Sequence, residues 1–382
     1  MAARPSKIGK YDVIDVIGRG GMGVVYKAND PHLNRLVAIK MMTGGYSDNP
    51  DLLKRFYREA QSTGNLQHPN IVTVYDLGDL EGNPYLVMEF LEGESLDAVI
   101  NSHNPLSLIT KINFICDVCH GLAYAHHQGI VHRDIKPGNI MVLKNGSVKI
   151  VDFGIAHFGD KTVTRTGQLI GSLGYMSPEQ VNGKPIDTRT DIFSTGVVLY
   201  QLLTYALPFD GDSTAATLLK IIHDPPPPLK KYITDIPSEL EDVILRSLAK
   251  DREDRYRTVE DFGFDLAQIS DRLKQGLVEG HLREAESLFS RGLTHKAKEL
   301  LLQVLKIDRQ HTGAIRLFRT VQHSIEEEQI EVQIRQLRGQ AEEAYSRQQF
   351  EAALSYLDKA LNLHQTDAGL QSLRSSIRQA KV

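Results

Sequence analysis

Between Tyr11 and Phe90 the apolar residues come in short, β-branched runs separated by turn residues: Val24-Val25-Tyr26, Val37-Ala38-Ile39, Ile71-Val72-Thr73-Val74 and Tyr85-Leu86-Val87-Met88. Runs of this kind predict strands. One stretch departs from them. Over Asp51–Thr63 charges gather on one face at helical spacing, which predicts a helix. Helical spacing returns over Ile109–His127, two short strands are predicted at Met141–Leu143 and Val148–Ile150, and beyond Pro178 the pattern is mostly helical, with Pro and Gly in the loops. A small β-rich lobe and then a larger helical lobe account for this order.

After about Ser270 the pattern changes again. The last proline is Pro237, glycine thins out, and apolar residues recur at helical spacing to the end of the chain. This tail repeats itself. Ala285-Glu286-x-x-Phe289-Ser290-Arg291 matches Ala341-Glu342-x-x-Tyr345-Ser346-Arg347, and Ala297, Leu301 and Leu305 recur as Ala353, Leu357 and Leu361. Small and large apolar residues stand where one helix packing on the next needs them. The segment from Tyr345 to Leu363 resembles a tetratricopeptide repeat, whereas the first unit has Thr294 where an aromatic is usual, and Arg309 and Gln365 replace the closing proline. The spacing of the two units also exceeds that family's period of about 34 residues, so an extra helix is expected near Ala314–Gln322. A generic pair of helical hairpins is the plainer alternative.

Composition narrows the classes. With 382 residues, 41% hydrophobic and 24% charged, the chain is globular and long enough for two or three domains. No run approaches the roughly 18 apolar residues of a membrane span, and MAARPSKIGK has no secretory core. Two cysteines build no disulfide framework, which makes the cytoplasm the expected compartment. A net charge of -4 speaks against nucleic acid as the main partner.

The candidate chemistry lies in the first 180 residues. Gly18-x-Gly20-x-x-Gly23 fits a glycine-rich phosphate loop, but a dinucleotide fold uses the same spacing and a plain turn would suffice. The next residues decide between them: Val24-Val25-Tyr26-Lys27 reads as a second strand rather than a helix, so the loop is a hairpin whose backbone N–H groups can approach phosphates. Val37-Ala38-Ile39-Lys40 then sets a lysine at a strand end, able to reach the α- and β-phosphates of a nucleotide. Glu59, the single glutamate between Met41 and Asn65, is its expected partner. In His132-Arg133-Asp134-Ile135-Lys136-Pro137-Gly138-Asn139, Asp134 would accept or orient the proton of an attacking hydroxyl. Lys136 would offset γ-phosphate charge and Asn139 would give an oxygen to Mg²⁺. Asp152-Phe153-Gly154 supplies the second metal carboxylate, because a hard cation takes oxygen ligands and lets phosphates complete its shell.

In this order the motifs resemble those of a eukaryotic-like (Hanks-type) Ser/Thr protein kinase of bacterial flavour, over about residues 8–270. The resemblance implies an α+β bilobal kinase fold, with ATP and Mg²⁺ (or Mn²⁺ in its place) in the cleft. It makes Met88 a gatekeeper and Glu89–Leu91 the hinge, with Val25, Ala38 and Met141 sandwiching the adenine. Ser177-Pro178-Glu179 stands for the family's Ala-Pro-Glu, with Glu179 pairing to Arg255. Asp191-x-Phe193-x-x-Gly196 has Phe where Trp or Tyr is commoner. Lys136 marks Ser/Thr specificity.

The activation segment runs from Asp152 to Glu179. Ser172 is expected to contact the catalytic Asp and Lys. Thr164 and Thr166 match the positions autophosphorylated in relatives, and a phosphothreonine there would pair with Arg133. The expected domains are a kinase over 11–270 after a short extension (1–10), a linker over 271–277, and an all-α helical-repeat region over 278–382. Protein substrates, the chain itself (autophosphorylation and a homodimer) and a protein partner of the tail are the expected partners. A pseudokinase scaffold is the main rival, weakened because Lys40, Glu59, Asp134, Asn139 and Asp152 are all present; a metabolite kinase is disfavoured by the long activation segment. Cys116-x-x-Cys119 reads as core packing, His126-His127 as a helix end, and Pro225–Pro228 as an interhelical loop rather than a polyproline ligand.

Overall fold

The computed structural model describes residues 5–20, 23–42, 50–153 and 173–380, apart from the side chains of residues 50–52, 55, 59 and 62. The chain divides into two compact units, Met1–Asp271 and Arg272–Val382.

The first unit begins with an antiparallel sheet of six strands: β1 (Lys7–Ile8), β2 (Tyr11–Gly20), β3 (Gly23–Asp30), β4 (Arg35–Met42), β5 (Val74–Leu80) and β6 (Asn83–Glu89), in spatial order β1-β2-β3-β4-β6-β5. In β3 the buried positions alternate as a one-sided strand requires, with Tyr26, Ala28 and Asp30 facing in. Val37, Ala38 and Ile39 of β4 are all buried, because the strand is covered on both faces. Ile39 packs with Ile8, Tyr11 and Val87, whereas Ala38 packs with Phe56, Val72 and Met88 under helix α1 (Pro50–Gly64).

The remainder of this unit is helical around a small sheet of β7 (Gly93–Ser95), β8 (Ile140–Leu143) and β9 (Val148–Ile150). Helices α2 (Leu96–Ser102) and α3 (Leu108–His127) start at Ser95 and Ser107, whose side chains accept the backbone N–H groups of Ala98 and Thr110. Then come α4 (Pro178–Val181), α5 (Arg189–Thr204), α6 (Thr214–His223), α7 (Ser238–Ser247) and α8 (Val259–Ser290). Nearly every residue of α5 is buried, so it is the axis of the lobe. Cys116 and Cys119 are buried free thiols in the core. A side chain at Gly263 would sit 2.9 Å from Cys119 Cβ, so α3 and α8 approach closely only with glycine there. Residues 271–277, expected as a linker, are helical and lie within α8.

The tail repeats more fully than the sequence motif suggests. It adds α9 (Thr294–Ile307), α10 (Thr312–Ser346), α11 (Phe350–Leu363) and α12 (Ala368–Ala380). One core joins Val278, Ala285, Ala297, Leu301, Val304, Ala314, Val321 and Ile325. A second joins Ala341, Ala353, Leu357, Ala360, Leu370 and Ile377, with Ile334 against it. These six and Ile334 stand at positions equivalent to members of the first, while Ala344 and Leu361, also buried in the second, are equivalent to Leu288 and Leu305, which pack against the first. The unit is therefore three helices, and the extra helix expected near Ala314–Gln322 is not separate. It closes the first unit and continues, within α10, as the opening helix of the second. From Ile325 to Ile334 is about two and a half helical turns, so the cores lie on opposite faces of α10.

Candidate active site

The glycine hairpin is the β2–β3 connection, with Gly20 opposite Gly23. Only Gly23 is needed there on steric grounds: a Cβ would lie 2.2 Å from the Met41 carbonyl oxygen. A Cβ on Gly18 would make ordinary contact with Val25, and one on Gly20 would meet no described atom within 4 Å. Space, rather than packing, surrounds Gly20.

Lys40 pairs across from Val25 on β3 and Leu86 on β6. Its ammonium meets the Asp152 carboxylate at 2.8 Å, both side chains largely buried. Glu59, its expected partner, lies on α1, but its side chain is outside the described residues. Val25, Ala38, Met88 and Leu91 share one apolar cluster. Met141 stands apart from it on β8, between its partners Ser95 and Lys149. Glu89 Oε2 takes a hydrogen bond from Lys149 Nζ at 2.7 Å, a pair that nothing in the sequence motifs signals.

The segment His132–Asn139 carries the densest polar network. Lys136 Nζ donates to Asp134 Oδ2 at 2.7 Å and Asn139 Nδ2 to the same oxygen at 3.0 Å. Asn139 Nδ2 also donates to the Asp134 carbonyl at 2.8 Å. Two donors on Oδ2 fix the carboxylate and leave Oδ1 for a further hydroxyl. Committing its nitrogen to Asp134 leaves Asn139 Oδ1 as the atom that can meet a cation. Among the described residues there is no cluster of three or more His, Cys, Asp or Glu suited to a metal. Asn139 Oδ1 and the Asp152 carboxylate are hard oxygen donors of the kind a divalent cation takes, with nucleotide phosphates completing its shell.

This network hangs from α5. Asp191, fully buried, accepts the backbone N–H of His132 and of Arg133, each at 2.8 Å, and His126 Nε2 lies 2.8 Å from the same carboxylate. His126 is thus more than a helix end. Gln180 Nε2 donates to the Arg133 carbonyl at 2.8 Å. With its N–H and its C=O both bound, Arg133 is held at φ 69°; Asp152 has φ 62°. Both are left-handed conformations that L side chains seldom adopt, and both adjoin the polar cluster. His132 is buried, and burial pushes its pKa below the ordinary value, so the ring is neutral. Its contacts then assign the tautomer: Nδ1 accepts from the Asp134 N–H at 3.3 Å and Nε2–H donates to the Val151 carbonyl at 3.1 Å. Its ring meets Phe153 edge-on at 4.6 Å between centroids. The sequence marked this histidine only as part of a motif.

Glu179 and Arg255 form the expected pair, bidentate at 2.8 and 2.9 Å, with Thr190 Oγ1 donating to Glu179 at 2.7 Å. Burial alone would raise the Glu179 pKa; the hydrogen bonds and charge of Arg255, with Thr190, bring it below the ordinary value. Gly154, Thr164, Thr166 and Ser172 lie outside the described residues.

A glycine hairpin and a half-buried Lys–Asp pair, with an aspartate braced by lysine and asparagine, in one unit of a β-rich and a helical lobe, are the architecture of a protein kinase. The family model for the protein kinase domain matches residues 11–262, and the chain belongs to that family. It is 42% identical over 270 residues to the serine/threonine-protein kinase PrkC of Bacillus subtilis, covering 70% of this chain and 42% of that one. It is 40% identical over 267 residues to the serine/threonine-protein kinase PknB of Mycolicibacterium smegmatis, covering 68% and 43%. The chain thus spans under half the length of these relatives. Among solved structures, the kinase domain of Mycobacterium tuberculosis PknI aligns with a TM-score of 0.58 at 25% identity, over 70% of this chain and 98% of that one. Among the described residues no helix is long and apolar enough to cross a membrane.

Proposed function

We propose that this chain is an ATP-dependent protein kinase that phosphorylates Ser and Thr hydroxyls of proteins. The observation that carries the reading is the bracing of Asp134 by Lys136 and Asn139, within a unit that also pairs Lys40 with Asp152. Asp134 Oδ1 accepts the proton of the acceptor hydroxyl as its oxygen bonds to the γ-phosphorus and ADP leaves. Lys136 holds the γ-phosphoryl oxygens and Lys40 the α- and β-phosphates, under the backbone of Gly18, Gly20 and Gly23. Val25, Ala38, Met141, Met88 and the Glu89–Leu91 hinge hold the base. Asn139 and Asp152 would hold Mg²⁺, which would supply neutralisation of phosphate charge. Positioning and charge neutralisation supply the catalysis.

The reading extends to autophosphorylation at Thr164 or Thr166, answered by Arg133, with Glu59 orienting Lys40. It also extends to a tetratricopeptide-like tail that recruits a protein partner or a second copy, in the cytoplasm. Support for the tail's part is its two apolar cores, built from repeated helices, with Leu302, Ile330 and Val332 among the apolar side chains left exposed. Purified chain incubated with Mg-ATP and a peptide of residues 159–169 is expected to phosphorylate that peptide and itself. Lys40→Met and Asp134→Asn should each lower both by about 10²-fold or more. Turnover near the wild-type rate in both variants would refute these roles.

A further inference from the structure

Lys250, just beyond α7, has no place in the site above, yet its side chain runs inward. Its ammonium donates to the carbonyls of Ile221 at 2.6 Å and Lys220 at 3.2 Å, in the last turn of α6. The Lys220 carbonyl also accepts the Asp224 N–H at 3.0 Å, and carbonyls at this end of a helix attract a cation through the helix dipole. The same ammonium lies 3.6 Å from the Phe209 ring centroid. Phe209 stacks on Phe193 of α5, with centroids 5.9 Å apart, and the Arg255 guanidinium lies 4.9 Å from the Phe193 centroid. Two cations thus bracket one aromatic pair: Arg255, which binds Glu179 of α4, and Lys250, which binds the end of α6.

The α6 helix needs such an anchor. Its sequence, TAATLLKIIH, is apolar, but only Ile221 is fully buried and Leu219 is 58% exposed. Little core packing therefore fixes its position. Helix α6 packs against α4, and α4 supplies Gln180 to the Arg133 carbonyl, one residue before Asp134.

We infer that Lys250 is a positioning residue of the kinase: it fixes the C-terminal end of α6 and, through α6, the Ser177–Val181 turn that braces the catalytic loop. Its effect on turnover rests on the proposed kinase activity; its effect on α4 and α6 does not. The charge sits there at a cost. Burial pushes the Lys250 pKa down to about 8, with Asp224 opposing the shift and Arg255 adding to it.

The test compares full-length wild type, Lys250→Met and Lys250→Arg at pH 7. Hydrogen exchange is measured at the amides of Asp224, bonded to Lys220, and of Val181 and Lys184, bonded to Ser177 and Glu179. In Lys250→Met both groups are expected to exchange at least tenfold faster while the melting temperature does not fall. KM for the 159–169 peptide should rise severalfold with KM for ATP unchanged, and Lys250→Arg should restore all three. Exchange within twofold of wild type at either group overturns the inference, as does faster exchange spread evenly over the unit with a lowered melting temperature. If wild type phosphorylates nothing, the kinase reading fails and the exchange data alone judge Lys250.

Discussion

The two units use opposite means to become specific. In Met1–Asp271 the interior holds charge: Asp191, Glu179 and Arg255 are buried, and their bonds join residues up to 76 positions apart. In Arg272–Val382 the interior is apolar, and Thr294 is the one buried polar side chain among the described residues. Apolar packing tolerates small displacement and charge-assisted hydrogen bonds do not. A site that must hold Asp134 to a fraction of an ångström is built from the second kind, and a repeated scaffold from the first.

That contrast can be broken from either side. The largest effect belongs to Asp134→Asn, expected to lower phosphotransfer to the 159–169 peptide by about 10²–10⁴-fold with circular dichroism and melting unchanged. Arg255→Met strands the Glu179 carboxylate and should cost about 3–5 kcal/mol in urea unfolding of the first unit. The double variant with Glu179→Gln should recover part of that loss, and full additivity would refute the coupling. In the tail, Leu301→Ala and Leu357→Ala occupy equivalent fully buried positions. Each should cost about 2–5 kcal/mol, by similar amounts, and leave peptide phosphorylation rates unchanged.

The smallest effect is on pH. His132 stays neutral in the fold, with a pKa below the 6.5 of an exposed histidine. The unfolded chain takes up a proton there as pH falls below 6.5 and the folded chain does not, so stability is full above 6.5 and declines beneath it. Urea midpoints at pH 7.5 and 5.5 should differ less in His132→Phe than in wild type. Glu179 and Asp187, whose pKa values are lowered, extend the loss toward more acid pH in both proteins.

Much of the site was legible in the sequence because kinase chemistry is written locally: Lys136 and Asn139 stand within five residues of Asp134, and that spacing brings both to its carboxylate. The strands at Val24–Tyr26, Val37–Ile39 and Tyr85–Met88 were legible for a similar reason, since each apolar run is bounded by turn residues, whereas the run Ile71–Val74 meets its strand only at Val74. What escaped were relations at long range. Nothing near His126 or Gln180 signals that one approaches Asp191 and the other binds the Arg133 carbonyl. Lys149 and Glu89 lie 60 residues apart. The Lys40–Asp152 pair joins residues far apart in the chain and no motif announced it; the Glu59 side chain, the partner expected for Lys40, lies outside the described residues. In the tail, the spacing called for a helix near Ala314–Gln322 but did not show that it recurs as the third helix of each unit, because Ala314 and Val321 match Leu370 and Ile377 in burial and not in identity.

The fused helix α10 has one more consequence. Residues 326–333 of it are exposed on every side, so only their number sets the second core relative to the first. Each inserted residue would turn that core by about 100° and advance it by about 1.5 Å. An insertion of seven brings the face back to within about 20° of its original heading, whereas one or two send it elsewhere. Length variation in this stretch is therefore quantised. Among homologous tails, those that keep both faces in use should differ here by near-whole numbers of turns, about seven, eleven or eighteen residues, or not at all.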